Sequence, residues 1–104
     1  MENQVVEERI KNLVNENRIM LFMKGDRQEP QCGFSAQVIQ ILNQYEVNYH
    51  TENVLADWSI REGIKTFSNW STIPQLYVDG KFIGGCDITM ELHRKEELGK
   101  ILEK

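Results

Sequence analysis

Gln75-Leu76-Tyr77-Val78-Asp79-Gly80-Lys81-Phe82-Ile83-Gly84 is the stretch on which the fold turns. Two short apolar runs flank an Asp-Gly pair, a strong signal for a tight antiparallel hairpin. Pro74 stands just before the first run, where a missing N–H is tolerable, and it is a candidate for a cis peptide bond. Upstream, residues 18–23 carry the apolar run Ile19-Met20-Leu21-Phe22-Met23, the length of a buried strand. From Phe34 the positions Phe34, Val38, Ile41, Leu42 and Tyr45 repeat at helical spacing. Residues 48–53 read as a second strand, and the resulting strand–helix–strand unit predicts a parallel pair with a right-handed crossover. Residues 4–15 place Val6, Ile10, Leu13 and Val14 on one helical face, and residues 57–66 read as a short helix. Asp87 can cap a last helix running toward Lys104, with Ile88, Leu92, Leu98, Ile101 and Leu102 inward. The parallel unit joined to the hairpin predicts an α/β fold: a small four-stranded mixed sheet with helices on both faces.

The bulk composition narrows the function classes. A chain of 104 residues is long enough for one domain and too short for two, so residues 1–104 read as a single domain, free-standing and without a fused targeting region. The net charge of −4 argues against a nucleic-acid or anionic-membrane partner. The longest apolar run is far too short to span a bilayer. The acidic start Met1-Glu2-Asn3-Gln4 resembles neither a secretory signal nor an Arg-rich transit peptide. These features predict a cytoplasmic protein with reduced thiols.

Two cysteines, Cys32 and Cys86, lie far apart, and no Cys-x-x-Cys occurs. A cysteine is ordinarily a small buried hydrophobe. Cys32, however, stands where loop gives way to helix, in Gln31-Cys32-Gly33-Phe34-Ser35-Ala36. Unpaired first-turn N–H groups and the positive helix end favour a thiolate there. Lys24, eight residues earlier, adds positive charge. Phe34 is either a core residue or an exposed lid over the thiol.

Three blocks, in order, resemble the monothiol glutaredoxins, which are named for a Cys-Gly-Phe-Ser motif. They are Lys24-Gly25 with Pro30-Gln31-Cys32-Gly33-Phe34-Ser35, then Thr72-Ile73-Pro74-Gln75-Leu76-Tyr77-Val78-Asp79-Gly80, then Gly84-Gly85-Cys86-Asp87-Ile88. The resemblance covers essentially the whole chain and implies one thioredoxin-like glutaredoxin domain that binds glutathione. It implies that Lys24 and Arg61 hold one glutathione carboxylate, with Lys65 as a further candidate. It implies that the backbone of Ile73 pairs with the bound peptide like an added strand. The glycines and free N–H groups before the last helix, at Gly84-Gly85-Cys86-Asp87, suit the second carboxylate. Asp87 matches a residue that takes the ligand's amino group. Without the resemblance, Arg61 and Lys65 read as a solvated helix face and Asp87 as a plain cap.

With Ser35 in place of a resolving thiol, the resemblance implies a homodimer bridged by a 2Fe–2S cluster. Cys32 and one glutathione thiol from each subunit supply the four ligands. The protein then carries and transfers the cluster to apo iron–sulfur proteins, with a BolA-type protein as an alternative partner. The eight-residue loop from Lys24 to Gln31 is longer than in dithiol relatives and accompanies cluster transfer with weak reductase activity. Arg27 and Ser71 stand where relatives commonly have proline, which predicts a looser loop and a looser lead-in to the third strand.

A rival reading is a glutathione-dependent thiol–disulfide oxidoreductase, which needs only Cys32. Cys86 is then either a resolving thiol or simple packing at the start of the last helix. A sensor module reporting to a partner is a third reading with no residue speaking for it. His50 and His93 lack metal-ligand spacing and read as surface residues. Trp58 and Trp70 are expected to pack near the third helix, and Glu7-Glu8 and Glu96-Glu97 to face solvent on helices.

Overall fold

A computed structural model describes residues 2–103. Five helices and four strands follow one another as α1 (Glu2–Glu16), β1 (Ile19–Met23), α2 (Gly33–Leu42), β2 (His50–Asn53), α3 (Trp58–Ser68), β3 (Gln75–Val78), β4 (Lys81–Gly84), α4 (Cys86–Arg94) and α5 (Leu98–Leu102). A 3-10 turn, Val54–Ala56, leads into α3. The sheet has the strand order β2-β1-β3-β4. β1 runs parallel to β2, with Leu21 opposite Thr51, and antiparallel to β3, with Leu21 opposite Leu76. The Asp-Gly pair closes the β3–β4 hairpin with φ of 53° at Asp79 and 78° at Gly80, the left-handed pair that the tightest hairpin turn demands.

The continuous apolar run of β1 is explained by its place in the middle of the sheet, covered on both faces. Ile19, Leu21 and Met23 pack with Val38, Ile39 and Leu42 of α2 and with Leu98 and Leu102 of α5. Met20 and Phe22 point the other way, against Ile10 and Val14 of α1, Ile60 and Ile64 of α3, and Tyr77. The fold is therefore the thioredoxin-like mixed sheet between two helical layers. Asp57 starts α3 as its cap, accepting from the backbone N–H of Ser59 at 3.0 Å and of Ile60 at 3.3 Å, while Arg9 of α1 donates to it at 2.6 Å. Among the described residues no helix is long and apolar enough to cross a membrane.

The C-terminal quarter departs from the pattern read in the sequence. The expected last helix is two helices, broken at Glu96, where φ is 61°. The break re-aims the chain so that Leu98 and Leu102 are both fully buried. Ile88, expected inward, is 39% exposed. Asp87 is not the cap of α4: Gly85 holds that position and Asp87 lies in the first turn. α2 ends at Leu42, and Tyr45 follows in a turn. Tyr45 and His93 form a pair, the phenol oxygen 2.7 Å from Nδ1, so His93 is half-buried rather than a free surface residue. Trp58 and Trp70 do lie at the two ends of α3, but they are 68% and 41% exposed. Glu96-Glu97 lie in the turn between α4 and α5 rather than on a helix face.

Candidate functional site

The site grows out of the joint between β1 and α2. The eight-residue loop is pinned at both ends and in its middle. The N–H of Gln31 donates to the carbonyl of Lys24 at 2.9 Å, closing the loop on itself. Asp26 accepts from the N–H groups of Gln28 and Glu29 at 3.0 and 2.7 Å. The guanidinium of Arg27 donates to the carbonyl of Tyr49 and lies 4.3 Å above its ring. The residue expected to loosen the loop is thus its tether, since a cation that both donates a hydrogen bond and lies over a ring does by contact what a proline does by stiffness. The lead-in to β3 is likewise held despite Ser71. The buried side-chain amide of Gln75 donates to the carbonyls of Trp70 and Thr72 at 3.0 and 3.2 Å.

This frame delivers Cys32 to the N-cap position of α2, with extended backbone and a side chain that makes no capping bond. The thiol is half-buried, and its pKa lies below the ordinary thiol value. Burial alone would raise it. The N–H groups of Ser35 and Phe34, the charge of Lys24 and the hydroxyl of Ser35 outweigh that penalty by favouring the thiolate. Ser35 is fully buried, and its Oγ also accepts from the N–H of Lys24 at 3.1 Å. Sequence reasoning saw in Ser35 only a missing thiol; the structure makes it a polar link between the lysine and the cysteine. Phe34, left open between core and lid, is 60% exposed.

Cys32 opens into a cleft of about 530 Å³. All eight residues singled out from the sequence line it: Lys24, Cys32, Phe34, Arg61, Lys65, Ile73, Cys86 and Asp87. Lys24, Arg61 and Lys65 bring three cations to it, although Lys65 is drawn to Glu62 at 3.4 Å. The Nε of Arg61 is buried without a hydrogen-bond partner. A buried donor left unmade is unfavourable, so it is a group waiting for an acceptor. Gly85, Cys86 and Asp87 bring the cap and first turn of α4 to the lining. Ile73-Pro74 is a cis peptide. Gly84 has φ of 150°, and a Cβ there would fall 2.7 Å from Ile88, so only glycine brings α4 this close.

Cys86 differs from Cys32 in every respect that matters to a nucleophile. It is buried, its thiol donates to Oε1 of Gln37 at 3.1 Å, and it lies 3.6 Å from the sulfur of Met90. Burial first, then the negative charges of Asp87 and Cys32, push its pKa up. Both cysteines are free thiols. Trp70, Thr72 and Ile88 also line the cleft and were given no ligand-binding role from sequence, although Thr72 and Ile88 are the ends of two of the quoted motifs. Among the described residues no group of three or more His, Cys, Asp or Glu side chains comes together to hold a metal ion.

A thioredoxin-like sheet that presents one activated thiol at a helix start, across from a cis-proline, defines a class of thiol-chemistry proteins. Comparison narrows the class. The Glutaredoxin family profile matches residues 19–83. A Synechocystis protein described as an uncharacterized monothiol glutaredoxin is 52% identical over 97% of this chain and 94% of its own length. Mouse glutaredoxin-3 is 53% identical over 94% of the chain, which spans only 29% of that longer protein. A buckwheat glutaredoxin solved as a glutathione complex superposes with a TM-score of 0.87 at 27% identity, over 98% of this chain and 91% of that one. The chain belongs to the glutaredoxin family, in its monothiol branch.

Proposed function

We propose that the cleft binds glutathione and that the protein, as a dimer, carries a 2Fe–2S cluster for transfer to apo iron–sulfur proteins. The observation that carries this reading is a thiolate-favouring, half-buried Cys32 in a cleft that has cations and a helix N-terminus but no second available thiolate. Glutathione offers what such a cleft lacks. One of its carboxylates goes to Lys24 and Arg61, where the unpartnered Nε supplies a donor, with Lys65 at the margin because Glu62 competes for it. The backbone of Ile73 pairs with the extended peptide. The other carboxylate meets the N–H groups at the start of α4, and Asp87 takes the ammonium. The glutathione thiol then stands beside Cys32.

The cluster is cargo, and its ligand count decides the assembly. A 2Fe–2S cluster takes four thiolates. One protomer with its glutathione supplies two soft sulfurs, so two protomers face to face supply four. In this reading the exposed ring of Phe34, which lines the cleft, would shield the cluster from water. Half of these ligands are exchangeable small molecules, which suits transfer. A BolA-type protein is the alternative to the second protomer. Two free thiols and a depressed Cys32 pKa suit the reducing cytoplasm.

The same depressed pKa equally serves thiol exchange, which is the second reading. The Cys32 thiolate attacks a protein–glutathione disulfide and expels the protein thiolate. A second glutathione thiolate then attacks the Cys32–glutathione disulfide, releasing glutathione disulfide and regenerating Cys32. Cys86 is a poor resolving thiol in this scheme, because its raised pKa leaves little thiolate near neutral pH.

Anaerobic reconstitution with iron, sulfide and glutathione separates the two readings, followed by visible absorbance and size-exclusion chromatography, with Cys32→Ser as control. A coloured dimer that requires both glutathione and Cys32 is expected. A colourless monomer that turns over glutathione mixed disulfides efficiently would overturn the carrier reading in favour of the enzyme.

A further inference from the structure

One of the three cations that line the cleft is itself held by an aromatic residue outside it. Trp58 opens α3 and is 68% exposed, an unusual position for the largest apolar side chain. Three residues on, along the same helical face, the guanidinium carbon of Arg61 lies 5.4 Å from the centroid of the Trp58 ring. Arg61 has no carboxylate partner among the described residues' ion pairs, whereas its neighbour Lys65 is engaged by Glu62. Its buried Nε is without any acceptor. Arg61, which lines the cleft, is therefore held against the Trp58 ring while its buried Nε is unsatisfied. On its far side Trp58 lines the groove between α1 and α3, together with Val6 and Phe67.

We propose that Trp58 is a positioning residue for ligand binding: its indole face holds the Arg61 guanidinium ready to receive the carboxylate of glutathione. This rests on the glutathione reading above and adds a residue to it. A flexible arginine pays rotamer entropy when it is fixed by a ligand, and a stacked planar guanidinium has already lost much of that freedom. A π face also holds the cation without neutralising it, which an acidic partner in the same place would do. Trp58 touches the arginine and not the ligand, so its effect appears only when Arg61 is present.

The test is a glutathione titration of the cluster-free protein, followed by NMR chemical shifts, on wild type, Trp58→Leu, Trp58→Phe, Arg61→Ala and the Trp58→Leu/Arg61→Ala double variant. Leucine keeps apolar bulk but removes the π face. Trp58→Leu is expected to weaken binding about two- to fivefold, the range of an exposed cation–π contact. Trp58→Phe should retain part of the affinity, and the double variant should bind no more weakly than Arg61→Ala alone. If wild type binds and Trp58→Leu binds equally well, or if the two losses simply multiply, the positioning role is overturned while the glutathione reading stands. If wild type fails to bind glutathione at all, both fall. An unchanged affinity in Trp58→Leu would leave the exposed indole to some other task.

Discussion

Replacing Ser35 with alanine removes an acceptor and a donor from the same buried point. Oγ accepts from the N–H of Lys24 at 3.1 Å, and the hydroxyl also supports the Cys32 thiolate. Because Ser35 is fully buried, water does not replace it for the Lys24 N–H. A buried N–H stripped of its partner costs about 1–3 kcal/mol. At about 4–8 °C per kcal/mol for a domain of this size, the melting temperature should fall clearly. The thiol responds separately. The hydroxyl is the smallest of the four influences that lower the Cys32 pKa, behind the N–H groups of Ser35 and Phe34 and the charge of Lys24. Its loss should therefore move the pKa only part of the way back to an ordinary thiol. The folded pKa of Cys32 is depressed, so the stability its ionisation contributes is present above the unfolded-state pKa and lost as pH falls through the folded value. Ser35→Ala shrinks that contribution. The assay is the pH profile of alkylation at Cys32, read by peptide mass, beside urea unfolding at neutral pH. Coincident alkylation midpoints in the two proteins would refute the hydroxyl–thiolate contact. Unchanged unfolding would refute the buried hydrogen bond.

Three further predictions test the frame around the site. Gly63→Ala would place a Cβ 2.4 Å from Cγ1 of Val6. The overpacking of α1 on α3, about 1–3 kcal/mol, should outweigh the gain of up to about 1 kcal/mol in helix propensity, and a more stable variant in denaturant would contradict this. Arg27→Ala should free the loop for proteolysis and raise the Tyr49 pKa further, because burial raises it and Arg27 now restrains it; ultraviolet titration of the tyrosines reads the change. Burial pushes the Tyr77 pKa up to about 12, so the folded state favours the neutral phenol. Its stabilisation holds below the unfolded value near 10 and is lost as pH rises through the folded value. Tyr77→Phe should flatten the loss of stability between about pH 10 and 12, after an initial cost for freeing Oε1 of Gln75.

Most of the scaffold was legible because its signals are local. An apolar run without alternation means a strand covered on both faces, and Ile19–Met23 is that strand. An Asp-Gly pair between apolar runs means a hairpin, and it forms at Asp79-Gly80. The break between α4 and α5 was not legible, because no glycine or proline marks it: Glu96 takes the left-handed conformation so that Leu98 can reach the core. Tertiary packing decides such a residue, not propensity. The cleft lining was legible residue by residue only through resemblance to a known family. Composition alone leaves Arg61 and Lys65 as a solvated face, and no periodicity separates the arginine that stacks on Trp58 from the lysine that pairs with Glu62. Arg27 and Gln75 were misjudged or passed over because their partners, Tyr49 and the Trp70–Thr72 backbone, lie across loops that sequence patterns do not connect.

The two thiols explain why an external sulfur suits this cleft. Both line the same space, yet their pKa values are driven in opposite directions by separate causes. Cys32 sits where N–H groups and a lysine converge, while Cys86 is desolvated and faces the charge of Asp87. Each thiolate also disfavours the other, so ionising Cys32 pushes Cys86 further toward its protonated form. The arrangement makes Cys32 the sulfur that more readily attacks or ligates, and leaves Cys86 donating a hydrogen bond to Gln37. Under the proposed function the cations and the α4 N-terminus recruit the missing sulfur on a small acidic peptide. On that logic, Asp87→Asn should lower the Cys86 pKa as well as weaken the hold on the ligand's ammonium. Iodoacetamide mapping would show Cys86 becoming more reactive near neutral pH. An unchanged Cys86 would mean that burial alone silences it.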